Sequence, residues 1–89
     1  MGIDWNLEVR NRAWAKVRAL DSKNNCDKLA TMRDFIKWAR KGGNEVGAVN
    51  YGDYTEVRVN KIVQKHGIKG RGWCVVLFND EGDIINPEY

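Results

Sequence analysis

The sequence predicts a small single α+β domain, with two or three helices followed by a short antiparallel sheet and C-terminal hairpin. Three observations lead there. Two stretches in the first half repeat apolar residues at helical spacing, the first of them behind Asp4, which can cap it. The run Trp73, Cys74, Val75, Val76, Leu77, Phe78 carries no polar side chain and is followed by turn residues, which reads as a strand entering a hairpin. The chain has 89 residues, enough for one modest core and one domain over 1–89.

A first helix is expected over residues 5–20, capped by Asp4. Trp5, Val9, Ala13, Val17 and Leu20 form one stripe, and Leu7 and Trp14 widen it until the helix must pack on two sides. Asp21 through Asn25 is polar and rich in turn formers. A second helix fits residues 27–41, with Leu29, Met32, Phe35, Ile36 and Ala39 on one face and Arg33, Lys37, Arg40 and Lys41 on another. Gly42 and Gly43 end it. Residues 45–51 alternate loosely and suit a short strand.

The segment 53–67 has two competing periods. Asp53 and Glu56 stand at capping-box spacing, Val59, Ile62, Val63 and His66 fall on one helical face, and Gly67 suits a helix terminus. Thr55, Glu56, Val57, Arg58 and Val59 also alternate as a strand would. Cap, period and terminal glycine agree, so a third helix is the expectation, giving the order α-α-(β)-α-β-β. Lys69, Gly70, Arg71 and Gly72 then read as a basic glycine loop before a strand that is covered on both faces or lies at a tight interface. Asn79 through Asp83 is a turn, Ile84 and Ile85 resume the sheet, Pro87 stops pairing, and 86–89 reads as a loose end.

Composition narrows the function. Hydrophobic residues make up 43% and charged residues 30%, ordinary for a globular domain. No apolar run is long enough for a bilayer, and residues 1–20 lack the order of a secretory signal, so a cytoplasmic protein without membrane contact is expected. The net charge is +3, but residues 1–78 carry 15 bases against eight acids, while Asp80, Glu81, Asp83 and Glu88 form an acidic tail. A basic body with an acidic tail suits a polyanion partner; it is equally consistent with a self-complementary chain whose tail lies across part of the basic surface.

Chemistry-bearing residues are sparse. Cys26 and Cys74 are far apart, and Cys74 has apolar neighbours that favour an inert thiol. His66 is the only histidine and stands where a helix C-terminus favours a cation. No paired carboxylates, activated nucleophile or close ligand pair stands out, so neither an enzyme nor a metal or other cofactor is expected.

On the expected third helix, Val59, Ile62, Val63 and His66 face inward, while Tyr54, Val57, Arg58, Lys61, Gln64 and Lys65 spread over the other side. Arg, Lys and Gln reach phosphates and base edges from a helix in a groove. This helix, followed by a basic loop and a hairpin, resembles the recognition helix and wing of a winged helix-turn-helix protein. The resemblance covers residues 53–85 and rests on element order; the helix that should precede the recognition helix is replaced by a strand or loop at 43–52. It implies a DNA-binding regulatory protein. The leading expectation is a non-enzymatic nucleic-acid-binding protein that uses Arg58, Lys61, Gln64 and Lys65 with Lys69 and Arg71. The alternative is a protein-binding adaptor or inhibitor, of the kind phages and mobile elements encode. It would act through Tyr54, Trp38 and Trp73 and the wide face of the first helix, with a homodimer as a further possibility.

Overall fold

The structure, a computed structural model, describes residues 2–85. Helix α1 spans Trp5–Lys23 and helix α2 spans Lys28–Arg40. The start of α1 follows the expected capping, and α2 starts one residue later than expected with Asp27 as its own cap. The Asp4 carboxylate accepts from the Leu7 N–H at 3.1 Å, and Asp27 accepts from the Ala30 N–H at 3.0 Å. Each satisfies one of the donors that a helix start leaves without a partner.

Three strands follow: β1 (Glu45–Asn50), β2 (Tyr54–Lys65) and β3 (Ile68–Asn79). They form an antiparallel meander in the order β1-β2-β3. Two two-residue loops make it possible. Gly52 takes φ +102° ahead of Asp53, as the first position of a type II′ turn requires. His66 and Gly67 take φ +52° and +74°, the paired positive values of a type I′ turn. Past β3 the chain turns back, and Ile84 bridges to Phe78.

Both helices lie on one face of the sheet, α1 mainly over β3 and α2 over β1 and β2. The core between the layers holds Val9, Ala13 and Val17 from α1 and Phe35 and Ala39 from α2. The sheet contributes Val57, Val59, Val63, Cys74, Val76 and Phe78. Each fully buried Val or Phe contributes about 1.5–3 kcal/mol through removal of apolar surface from water. The buried α1 residue Glu8 accepts from Lys65 Nζ at 2.6 Å and so ties α1 to the end of β2.

The expected third helix is a correction. Residues 54–65 are strand β2, and Thr55, Val57, Val59 and Val63 alternate into the core while Ile62 is 47% exposed on the other face. The recognition helix is therefore absent, and the winged-helix resemblance, which depended on it, goes with it. Gly67 does have positive φ, but in a hairpin turn rather than a helix terminus, and His66 is exposed in that turn instead of facing inward.

The basic glycine loop is also corrected, because Lys69, Gly70, Arg71 and Gly72 lie within β3. Their glycines serve packing rather than phosphate approach. A Cβ on Gly70 would stand 2.0 Å from the Trp5 ring, and one on Gly72 would stand 2.2 Å from the Trp5 carbonyl oxygen. The start of α1 rests on bare backbone. Of the two readings of residues 73–78, coverage on both faces within the chain fails: Trp73 is 51% exposed, and the helices cover only the face of Cys74, Val76 and Phe78. Leu29 is likewise exposed rather than on the inner face of α2. Pro87, Glu88 and the loose end expected at 86–89 lie outside the described residues.

Candidate nucleic-acid interface

The corrected fold redistributes the expected site residues. Strand alternation sends Arg58 and Gln64 from β2, and Lys69 and Arg71 from β3, to the open face of the sheet, with Tyr54 and Trp73. Lys61 and Lys65 point to the helical side. The set that a helix would have displayed together is divided between two surfaces.

On the open face the cations are largely committed. Arg58 Nη2 donates to Glu56 Oε1 at 3.1 Å, and its guanidinium carbon lies 5.8 Å from the Trp73 ring centroid. Glu56 also accepts from the Tyr51 hydroxyl at 3.2 Å, and the Tyr51 and Tyr54 rings stack with centroids 5.1 Å apart. Arg71 Nη1 donates to Asn60 Oδ1 at 3.0 Å. Gly47 stands opposite Arg58, and the missing side chain leaves a shallow hollow walled by Glu45, Arg58, Asn60 and Trp73. This face mixes aromatic, aliphatic and internally neutralised charge.

The helical side is different. A groove between α1 and α2 is lined by Lys16, Lys23, Lys37, Arg40 and Lys41, with Leu20 and Trp38 forming apolar wall. Lys41 also lines a second groove, which runs past Asn44 along the edge of β2 beyond β1 and gathers Lys61 from the helical side with Gln64 and Lys69 from the open face. The two grooves meet at Lys41, and together, as a track, they carry seven cations. Asp34 is the single acid among the described residues lining it, and it already accepts from Asn24 Nδ2 at 3.0 Å.

Trp38 sits at the junction. Its ring stacks on the buried Phe35 with centroids 5.6 Å apart, and Lys61 Nζ lies 4.6 Å from the Trp38 centroid. Burial holds the Lys61 pKa below its ordinary value, and the ring face offsets part of that cost through its quadrupole. Trp38 is thus both core edge and track wall, and it does not share a surface with Trp73.

Sequence reasoning found the cationic side of α2 (Lys37, Arg40, Lys41) without assigning it to a site, and it missed Lys16 and Lys23. Those two are seven residues apart, two helical turns on one face, a spacing the chain displays openly. What it does not display is that α2 packs beside that face.

The acidic turn packs at the other end of α2. A Cβ on Gly82 would stand 2.4 Å from the Lys28 carbonyl carbon, and Asp83 together with Asp21 raises the Lys28 pKa, the Asp21 hydrogen bond being the larger cause. The Cys74 thiol is buried and pushed up to about 11 by desolvation. No described helix is long and apolar enough to cross a membrane. Comparison with known proteins gives no match: no family model, no curated protein and no solved structure corresponds to this chain.

Proposed function

We propose that the protein is a non-enzymatic, cytoplasmic nucleic-acid-binding protein that holds a phosphodiester backbone along the α1–α2 track. The observation that carries this reading is the seven-to-one excess of cations over acids along two neighbouring grooves that share Lys41. Such grooves attract a polyanion by counterion release, and the flexible lysines follow a backbone without reading bases. Of the residues expected from sequence, Lys61 and Lys69 keep their role at one end of the track. Gln64 lines the same end. Arg58, Lys65 and Arg71 line neither groove.

The test is anisotropy of labelled single-stranded DNA, duplex DNA and RNA across a salt series. Engagement of four or five phosphates gives a log–log salt slope of about −3 to −4. Lys37→Gln with Lys41→Gln should flatten that slope by about two contacts' worth, while Arg58→Gln with Arg71→Gln should leave it unchanged. Affinity that survives the first pair and falls with the second would relocate the site to the sheet.

A second reading is favoured by one observation. Trp73 is half exposed amid Val49, Tyr51 and Ile62, all exposed on the same open face. That surface suits a protein partner anchored on Trp73 and Tyr54, the adaptor or inhibitor reading. Loss of partner binding in a folded Trp73→Ala variant, with nucleic-acid binding intact, would establish it.

A further inference from the structure

The two edges of the sheet are treated differently. On the β3 edge, the Trp73 N–H donates to Asn6 Oδ1, the Leu77 carbonyl accepts from the Ile85 N–H, and the Asn79 N–H donates to the Asp83 carbonyl. On the β1 edge, no described residue pairs with the strand. Natural edges are usually blunted by lysine, proline, a bulge or a cover. Strand β1 has the sequence Glu-Val-Gly-Ala-Val-Asn and pairs with β2 in unbroken register over all six residues. It carries no lysine, proline or bulge, and its one charge, Glu45, stands at its first residue.

The hydrogen-bond phase of this edge follows from the hairpin. The Tyr51 N–H donates to the Tyr54 carbonyl at 2.8 Å, so Tyr51 and Tyr54 are a hydrogen-bonded pair. Antiparallel pairs alternate, so Glu45, Gly47 and Val49 direct their backbone groups to β2. Val46, Ala48 and Asn50 direct theirs outward. The edge therefore offers a regular row of donors and acceptors at three alternate residues.

We propose that two copies of this chain pair through β1, antiparallel and centred on Ala48, to form a continuous six-stranded sheet. Parity and phase select the register. A two-fold axis perpendicular to the sheet preserves its faces only if residues of like parity stand opposite one another, and the phase requires them to be 46, 48 and 50. Centring on Ala48 uses all three, setting Ala48 opposite itself and Val46 opposite Asn50 of the second copy. The side chains fit. The only charge on the strand, Glu45, meets the tyrosine side chain that follows the second copy's β1, not another carboxylate, and the exposed Ala48 methyl leaves room at the axis. Pairing keeps both helical layers, and both basic tracks, on one side. The dimer does not depend on what those tracks bind.

The experiment is sedimentation of the full chain, freed of nucleic acid, over a concentration series. A reversible dimer is expected. Ala48→Pro removes the outward N–H without touching a bond to β2, so circular dichroism should be unchanged while the dissociation constant rises at least about tenfold. Ala48→Lys sets like charges opposite one another at the axis and should act in the same direction if the proline variant misfolds. In a Cys26→Ser background, Ala48→Cys should cross-link on oxidation, since directly opposed Cα atoms about 5.5 Å apart lie in the disulfide range. A protein that remains monomeric up to about millimolar concentration, or a dimer that survives both Ala48 variants and resists cross-linking, would overturn the pairing.

Discussion

Gly72→Ala tests whether the start of α1 truly rests on β3. The added Cβ would lie 2.2 Å from the Trp5 carbonyl oxygen, 2.5 Å from its carbon and 2.8 Å from the Asn6 nitrogen. All three are backbone atoms, so no side chain can swing aside. Reaching ordinary contact requires the helix start to move by more than about an ångström, and such overpacking costs roughly 1–3 kcal/mol. The same movement strains the 3.0 Å bond from the Trp73 N–H to Asn6 Oδ1, worth about another 1 kcal/mol. The expected loss is about 2–4 kcal/mol, a fall in Tm of roughly 10–25 °C for a domain of this size. Thermal and urea unfolding followed by far-UV circular dichroism measure it. Gly47→Ala is the control: nothing lies within 4 Å of its Cβ, so the variant should be neutral or slightly stabilised by the lower chain entropy of its unfolded state. Equal stability of wild type and Gly72→Ala would refute the placement of α1.

Other substitutions probe the rest of the account. Val59→Ala should cost on the order of 2 kcal/mol and Ile62→Ala well under about 1 kcal/mol, because only the first side chain faces the core; the reverse ranking in urea unfolding would restore a helical reading of residues 54–65. Thr31 is fully buried with no partner for its hydroxyl among the described residues, so Thr31→Val should raise stability by up to about 1 kcal/mol, seen as a higher urea midpoint. A thiol reagent at pH 8 should modify Cys26 rapidly and Cys74 only on unfolding. Because the Cys74 pKa is raised to about 11 from 9.0, the unfolded chain sheds its thiol proton first; stability should fall as pH rises through that window, and Cys74→Ala should remove that part of the slope.

The helices were legible because their signals are local. Asp4 and Asp27 stand immediately before periodic apolar runs, and capping needs nothing beyond the first turn. Strand β1 was legible as an alternating stretch after a glycine pair. Segment 54–65 misled because the same residues satisfy two periods. Val59 and Val63 belong to both patterns, Ile62 fits only the helix, and Thr55 and Val57 only the strand. The glycine argument failed for a related reason: a positive-φ residue suits a helix terminus and a type I′ turn on the same steric ground, so Gly67 could not discriminate. His66 before it and Gly52 before Asp53 were the better signals, each marking a two-residue loop between alternating runs.

The site was legible only in parts. Each lysine and arginine is visible in the chain, and the basic side of α2 shows at helical spacing. Their assembly into a track depends on α1 and α2 packing side by side and on Lys61 and Lys69 from two strands reaching the same rim. None of these is a local property. Gly70 and Gly72 beside cations invited a phosphate-loop reading, because their actual neighbour, Trp5, lies more than sixty residues away in sequence.

A nuclear magnetic resonance titration of the labelled protein with a short oligonucleotide tests the central claim most directly, since it locates binding without substitution. The account predicts salt-sensitive shifts at the amides of residues 37–44, at Lys61 and at the Trp38 indole, with Trp73, Arg58 and Asn60 unmoved. Shifts centred on Trp73 and the open sheet face, or none at low salt, would contradict it.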